Sequence, residues 1–220
     1  MEVEARPSWK EVVRNIILIV ITLGVAYLVT YYIGLENLRE KIDATGIYSL
    51  AIIVLLKTTT IVVAPLGGTI IYPVAGALFG FWKALILCLI GDTLGSSIAF
   101  ALSRAYGRSI LNFFTSKSQR PIIDKVMATL GEKKSFIKAR IFFAGFMDLF
   151  AYAAGLTKIN FWFFITVHMG VQTIGAILLI LFGDLLVSGN IAMTLLVAII
   201  GTGLASIGVW LFHLDLAKGN

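Results

Sequence analysis

Four ionisable side chains, Lys57, Asp92, Arg140 and Asp148, each interrupt a long apolar run. A charge at the centre of a lipid-facing helix costs about 3 kcal/mol, so such residues face protein or a wet cavity and mark a functional site by default. Arg140 offers a guanidinium that can grip a phosphate through paired hydrogen bonds, or it can snorkel to an interface a few residues away. Asp148 can pair with Arg140 or take up a proton, and it would serve equally as the cap of a returning half-helix. Asp92 follows Gly91 in the middle of the apolar run 82–103, too deep to snorkel. Lys57 is its natural counter-charge, either as working groups or as a structural ion pair.

This set handles anions; it does not suit bond-making chemistry. His168 and His213 are far apart and unaccompanied, and Cys88 is the single cysteine, so neither a metal site nor a disulfide framework is expected. No cofactor is implied. Gly95-Ser96-Ser97 with His168 is the one pairing that could serve an intramembrane hydrolase, and the match is short, which leaves it a remote alternative. A lipid phosphatase or transferase needs clustered acid, base and nucleophile or a carboxylate metal set, which two isolated aspartates do not supply. His168 and Gln172, one helical turn apart, line a cavity or, for a lone membrane histidine the better reading, make an interhelical hydrogen bond.

The elements that must hold these residues are membrane segments. Of 220 residues, 59% are hydrophobic and 14% charged, and the mean hydropathy is +0.94, the composition of an integral membrane protein. The run Asn15 to Ile33 has basic residues ahead of it and no small-residue cleavage site, and is read as an anchor helix. Further apolar runs cover 47–64, 69–90 or 82–103, 136–158, 160–182 and 191–212, with polar stretches at 34–46, 104–135 and 183–190. Nine of the 18 lysines and arginines fall between Arg104 and Arg140 against only Asp124 and Glu132, which places that loop in the cytoplasm. The net charge of +6 is thus a topology signal and not a nucleic-acid footprint. Within the loop, PIIDKVMATLG (121–131) has one apolar face and reads as a short surface helix or a plain connector.

Two of the apolar runs are broken in the middle. The first carries Pro65, Gly67, Gly68, Pro73 and Gly76; the second, 136–158, bends near Gly145 and ends beyond Gly155. Twenty-four residues from Phe136 to Ile159 are too few for two spans, so a re-entrant hairpin is expected in each region. The expected architecture is an all-α integral membrane protein: N-terminal anchor and outer loop (1–46), hairpin one (47–80), helix 82–103, basic loop 104–135, hairpin two (136–158), helix 160–182, and a C-terminal transmembrane helix within 191–220. Hairpin one dips in from outside and hairpin two from the cytoplasm, an inverted repeat of the kind found in alternating-access transporters, with both termini cytoplasmic. A shift of 79 residues lays Ala75-Gly76 on Ala154-Gly155, Gly91 on Gly170 and Thr69 on Asp148. Gly91 and Gly95 form a small-x-x-x-small pair that argues for close helix packing. Trp82, Trp162 and Trp210 read as interface anchors.

The run PLGGTIIYPVAGALFGFWKALILCLIGDTLGSSIAFALSRAYGR (65–108), followed by ARIFFAGFMDLFAYAAGLTKINFWFF (139–164), resembles the DedA superfamily, also called the VTT or SNARE-associated Golgi protein domain. That resemblance covers about 65–185 and implies two opposed re-entrant hairpins that move lipids between leaflets. The bacterial branch carries a glutamate where Thr69 stands, a second arginine at Phe146 and a proline near Phe143. Their absence places the resemblance nearer the scramblase-like branch. By the same resemblance Arg140 is the headgroup arginine and Arg104 and Arg108 belong to the family's R-x-x-G-R, although both read as interfacial anchors before ligands; together with the intramembrane charges read above, the candidate substrate-binding residues are Arg140, Asp148, Asp92, Lys57, Arg104 and Thr69. Ligand chemistry is then expected mainly from hairpin two and bending mainly from hairpin one. The implied partners are the bilayer and a phosphate-bearing lipid, the implied location a prokaryotic cytoplasmic membrane; a homo-oligomer stays open, as does a non-transporting assembly or chaperone role. A topology reporter fused to the C-terminus is expected to read cytoplasmic, and an external reading means that 136–158 crosses completely.

Overall fold

The computed structural model describes residues 44–63, 68–107, 133–142 and 147–203, with 40, 42 and 109 beside them. The anchor run 15–33, the surface helix expected at 121–131, Trp210 and the break residues Pro65, Gly67 and Gly145 lie outside the described residues. The chain divides at Gly46, and the elements below belong to the unit that follows. In order they are α1 (Ile47–Val62), a 3-10 turn (Gly68–Ile70), α2 (Ile71–Phe79), α3 (Phe81–Tyr106), α4 (Lys133–Phe142), α5 (Met147–Gly155), α6 (Phe161–Val187) and α7 (Ile191–Gly203). No strand occurs among the described residues.

Two of these helices, α3 and α6, are long and apolar enough to cross a membrane, since about 20 residues at 1.5 Å each span a hydrocarbon core of roughly 30 Å. Their termini follow local rules. Gly80, at φ 73°, ends α2 and opens α3, a backbone conformation that a β-carbon disfavours. Asn160 caps α6 by accepting the Trp162 amide at 2.9 Å, and Asn190 caps α7 by accepting that of Met193 at 3.2 Å. α6 runs on to Val187, so Gly183 to Val187, expected in an outer loop, are helical.

The surface chemistry is the reverse of a water-soluble protein's. Trp82, Ile86, Ile90, Leu94 and Ile98 form an exposed apolar stripe on α3, whereas Lys57, Asp92, Ser96, Ser103, Arg140, His168 and Gln172 are buried. An apolar exterior around a polar interior is what a lipid solvent selects. The buried stripe of α3 includes Ala84, Cys88, Asp92, Ser96, Phe100 and Ser103, and that of α6 includes Phe164, His168, Gln172, Ala176, Ile180 and Gly183. The two stripes run in step at an offset of 80. The 79-residue alignment of Gly91 with Gly170 therefore does not describe the packing: a β-carbon on Gly91 would press on Lys57 and Val54 of α1, while one on Gly170 would meet nothing within 4 Å.

Helix α1 packs on α3, α2 on α3 and α6, α5 on α3, and α4 on α6. These crossings are close because small residues line them. Gly91 and Gly95 admit the backbone and side chains of α1, and Thr58 Oγ1 donates to the Gly91 carbonyl at 3.3 Å. Gly76 of α2 faces the Ile180 carbonyl of α6, and Gly183 of α6 faces that of Pro73, both nearer than any β-carbon allows. Pro73 and Gly76, expected as break residues, thus lie inside one continuous helix: Pro73 is in its first turn, where a missing donor costs little, and Gly76 is a packing glycine. Gly155 closes α5 against Phe100 and Ser103 of α3.

Gly183→Val drives a side chain into the backbone of α2, which cannot step aside, and overpacking of this kind costs about 1–3 kcal/mol. Thermal unfolding in detergent is expected to show a clear loss for this variant and almost none for Gly170→Ala.

Candidate functional site

The interior holds one continuous polar chain whose members come from α1, α2, α3, α4 and α6. At one end Lys57 of α1 forms an ion pair with Asp92 of α3, Nζ to Oδ1 3.3 Å, with both side chains almost fully buried. The same ammonium donates to the Gly68 carbonyl at 3.2 Å and lies 3.7 Å from the centre of the Tyr72 ring. The lysine therefore ties the turn that precedes α2 to the middle of α3, with a cation–π contact added to the ion pair. Asp92 also accepts the Tyr72 hydroxyl on Oδ2 at 2.8 Å.

At the other end Arg140 of α4, fully buried, donates from Nε to His168 Nδ1 at 3.1 Å and from Nη2 to Gln172 Oε1 at 2.9 Å. Its guanidinium carbon lies 5.5 Å from the centre of the Phe150 ring, which in turn stacks on His168 with centroids 6.1 Å apart. Gln172 joins the two ends, because its amide nitrogen contacts the Tyr72 hydroxyl.

The direction of each bond is forced. Arginine only donates, so Gln172 turns its oxygen to Arg140 and its amide N–H to Tyr72; the phenol then donates its own O–H hydrogen bond to the carboxylate. The same logic fixes His168. With Nδ1 accepting from Arg140, the proton of the neutral ring sits on Nε2, which donates to Ser96 Oγ at 3.1 Å. A serine that receives a hydrogen bond from imidazole has no base to take its proton, the reverse of a nucleophile–base pair.

The remaining expected site residues fall elsewhere. Thr69 is exposed in the 3-10 turn beside Gly68. Asp148 is in the first turn of α5, and the expectation that it pairs with Arg140 concerns a side chain outside those described. Arg104 is exposed and spans three carbonyls: Nε to Gly155 at 3.1 Å, and Nη2 to Thr157 at 2.6 Å and to Ile159 at 2.8 Å. It also covers the Phe100 ring at 4.3 Å. Its donors thus fasten the end of α5 and the link into α6 to α3, the work of an anchor. No group of three or more potential metal ligands occurs among the described residues.

Sequence reasoning pairs Lys57 with Asp92 and anticipates an interhelical role for His168. It misses Tyr72, and it does not foresee Gln172 as the bridge. A tyrosine in an apolar run is itself a signal, since a buried phenol must find a partner. Which partner it finds depends on how α2 crosses α3 and α6.

Arg104→Ala frees three backbone carbonyls at a helix end and is expected to lower stability by about 1–2 kcal/mol. Arg104→Lys should recover only part of this, because an ammonium lacks the fork that reaches all three. Thermal unfolding of both variants in detergent measures it.

A comparison with protein families matches the VTT domain to residues 64–185, a segment containing the whole polar chain except Lys57. Comparisons with curated proteins and with solved structures give no match. The matched segment is more than half of the chain and carries α2 to α5, nearly all of α6 and Arg140, so the protein belongs to the VTT-domain family, the membrane-associated DedA/SNARE-associated family.

Proposed function

We propose that this protein moves phosphate-bearing lipids between the two leaflets of a membrane, with Arg140 as the headgroup contact. The observation that carries the reading is a fully buried arginine whose guanidinium donates to two neutral acceptors, His168 Nδ1 and Gln172 Oε1. A phosphate oxygen is a stronger, charge-assisted acceptor than either, so it can displace one or both without leaving the guanidinium unsatisfied. Membership of a membrane-associated family tied to lipid transport supports the substrate class.

The architecture in this reading is multi-pass. The pairs α1–α2 and α4–α5 are opposed re-entrant hairpins, each followed by a crossing helix, and both termini are cytoplasmic. Two features support an inverted repeat. The buried stripes of α3 and α6 keep one offset. The contacts are also reciprocal: the second arm of each pair packs across the other half's long helix, α2 on α6 and α5 on α3. At those crossings Gly76 faces Ile180 and Gly155 faces Phe100, positions again offset by 79 and 80. Repeats of this kind place a substrate site between their halves, near the bilayer midplane.

Transport in this reading is scrambling, driven by the lipid gradient itself, since Thr69 supplies no carboxylate to hairpin one. The hydrolase alternative has one observation in its favour, the Ser96–His168 contact, and the tautomer that Arg140 imposes argues against it. We therefore infer that the protein is not an enzyme. Against a purely structural or chaperone role stands the energetic cost of keeping Arg140 buried, which apolar packing would avoid.

Purified protein in liposomes tests this with a fluorescent phospholipid. Wild type is expected to accelerate exchange between leaflets equally with and without a pH gradient. Arg140→Ala, checked for monodispersity, should slow it by roughly 10–100-fold, the worth of a charge-assisted hydrogen bond of about 1.5–3 kcal/mol. Arg140→Lys should fall between the two. Strict dependence on the gradient indicates coupled transport, and unchanged flipping in Arg140→Ala indicates the structural role.

A further inference from the structure

Lys57 and Asp92 were expected along the headgroup's path, yet their geometry gives them other work. The ammonium is already shared among the Asp92 carboxylate, the Gly68 carbonyl and the Tyr72 ring. The carboxylate receives both the lysine and the Tyr72 hydroxyl. From Asp92 a single line of hydrogen bonds, each with a fixed direction, runs through Tyr72 and Gln172 to Arg140.

We infer that Tyr72 and Gln172 are positioning residues: the Lys57–Asp92 pair orients the Tyr72 hydroxyl, which orients the Gln172 amide, which aims the Arg140 guanidinium at an anionic headgroup. This rests on the lipid-transport reading. It makes Arg140 the only one of the three charged members to touch the phosphate. A phenol that lost its carboxylate acceptor would be free to rotate, and Gln172 could then flip its amide and turn N–H toward the guanidinium, mis-aiming it.

The test uses full-length protein in vesicles of phosphatidylcholine and phosphatidylglycerol, with two fluorescent probes: phosphatidylglycerol, and glucosylceramide, which lacks phosphate. Tyr72→Phe keeps the ring under Lys57 and leaves both charges in place. It is expected to lower the ratio of phosphatidylglycerol to glucosylceramide movement about tenfold, the effect of one mis-set hydrogen bond. Lys57→Gln combined with Asp92→Asn should lower the ratio similarly, and adding Tyr72→Phe to that pair should cost nothing more, because all act on one line.

If Tyr72→Phe keeps the wild-type ratio while the neutralised pair abolishes phosphatidylglycerol movement, Lys57 and Asp92 touch the headgroup themselves and the inference is wrong. Equal slowing of both probes makes the line merely structural and also overturns it. Should the neutralised pair not fold, Gln172→Glu decides. Its carboxylate pairs with Arg140 and is expected to block phosphatidylglycerol selectively, so unchanged movement sinks the proposal. A wild-type protein that moves neither probe overturns the transport reading and the headgroup role together, an outcome distinct from an active wild type with an indifferent Tyr72→Phe.

Discussion

A lysine, an aspartate and an arginine are buried side by side with a histidine, a glutamine and a tyrosine inside a shell of isoleucine, leucine and tryptophan. Burial takes them away from bulk solvent, so each charge needs partners within the protein. The partners lie on five different helices, which turns a local electrostatic requirement into a global one. Lys57 must come from α1, its carboxylate from α3, the phenol from α2, the amide and imidazole from α6 and the guanidinium from α4. Moving any one helix by a residue would orphan a buried polar group at about 1–3 kcal/mol, and more for a charge. The packing is pinned by its polar interior, because apolar surfaces facing hydrocarbon have little preference for one another.

The glycines make that pinning geometrically attainable. The Lys57–Asp92 ion pair closes because Gly91, the residue before Asp92, leaves room for the lysine stem. The Tyr72–Gln172 contact closes because Gly76 and Gly183 let α2 and α6 meet backbone to backbone one and three turns away. Dispersion gained at these crossings and hydrogen bonds gained beside them support each other, and neither alone would fix the register. A protein built this way tolerates apolar exchange on its outer stripe far better than any added methyl at its crossings.

For the proposed function, what matters is that Arg140 donates to His168 Nδ1 and to Gln172 Oε1. Both are neutral acceptors, and hydrogen bonds to them are weaker than those to an anion. In the lipid-transport reading a phosphate draws on that difference when it enters. The imidazole tautomer that results also keeps Ser96 an acceptor, so the same arrangement that favours anion contact disfavours nucleophilic chemistry.

Composition, segment length and charge placement are local quantities, and they were enough to expect an apolar helical protein with charges facing its interior and to pair Lys57 with Asp92. Several assignments were not local. Pro73 and Gly76 read as break residues but sit in one helix, since a first-turn proline and a packing glycine look the same in sequence as a bend. The shift of 79 lays Gly91 on Gly170, whereas the buried stripes of the two long helices match at 80, a difference that composition along the chain does not reveal. Arg104 belongs to a family motif and reads as an anchor, but the three carbonyls that it fastens lie more than 50 residues along the chain and are not marked in the sequence. Sequence by itself determined which groups could not face lipid; only the tertiary structure decided which of them meet, because hydrogen bonds between helices depend on crossing points separated by as many as 100 residues of chain, and no periodicity along the chain encodes them.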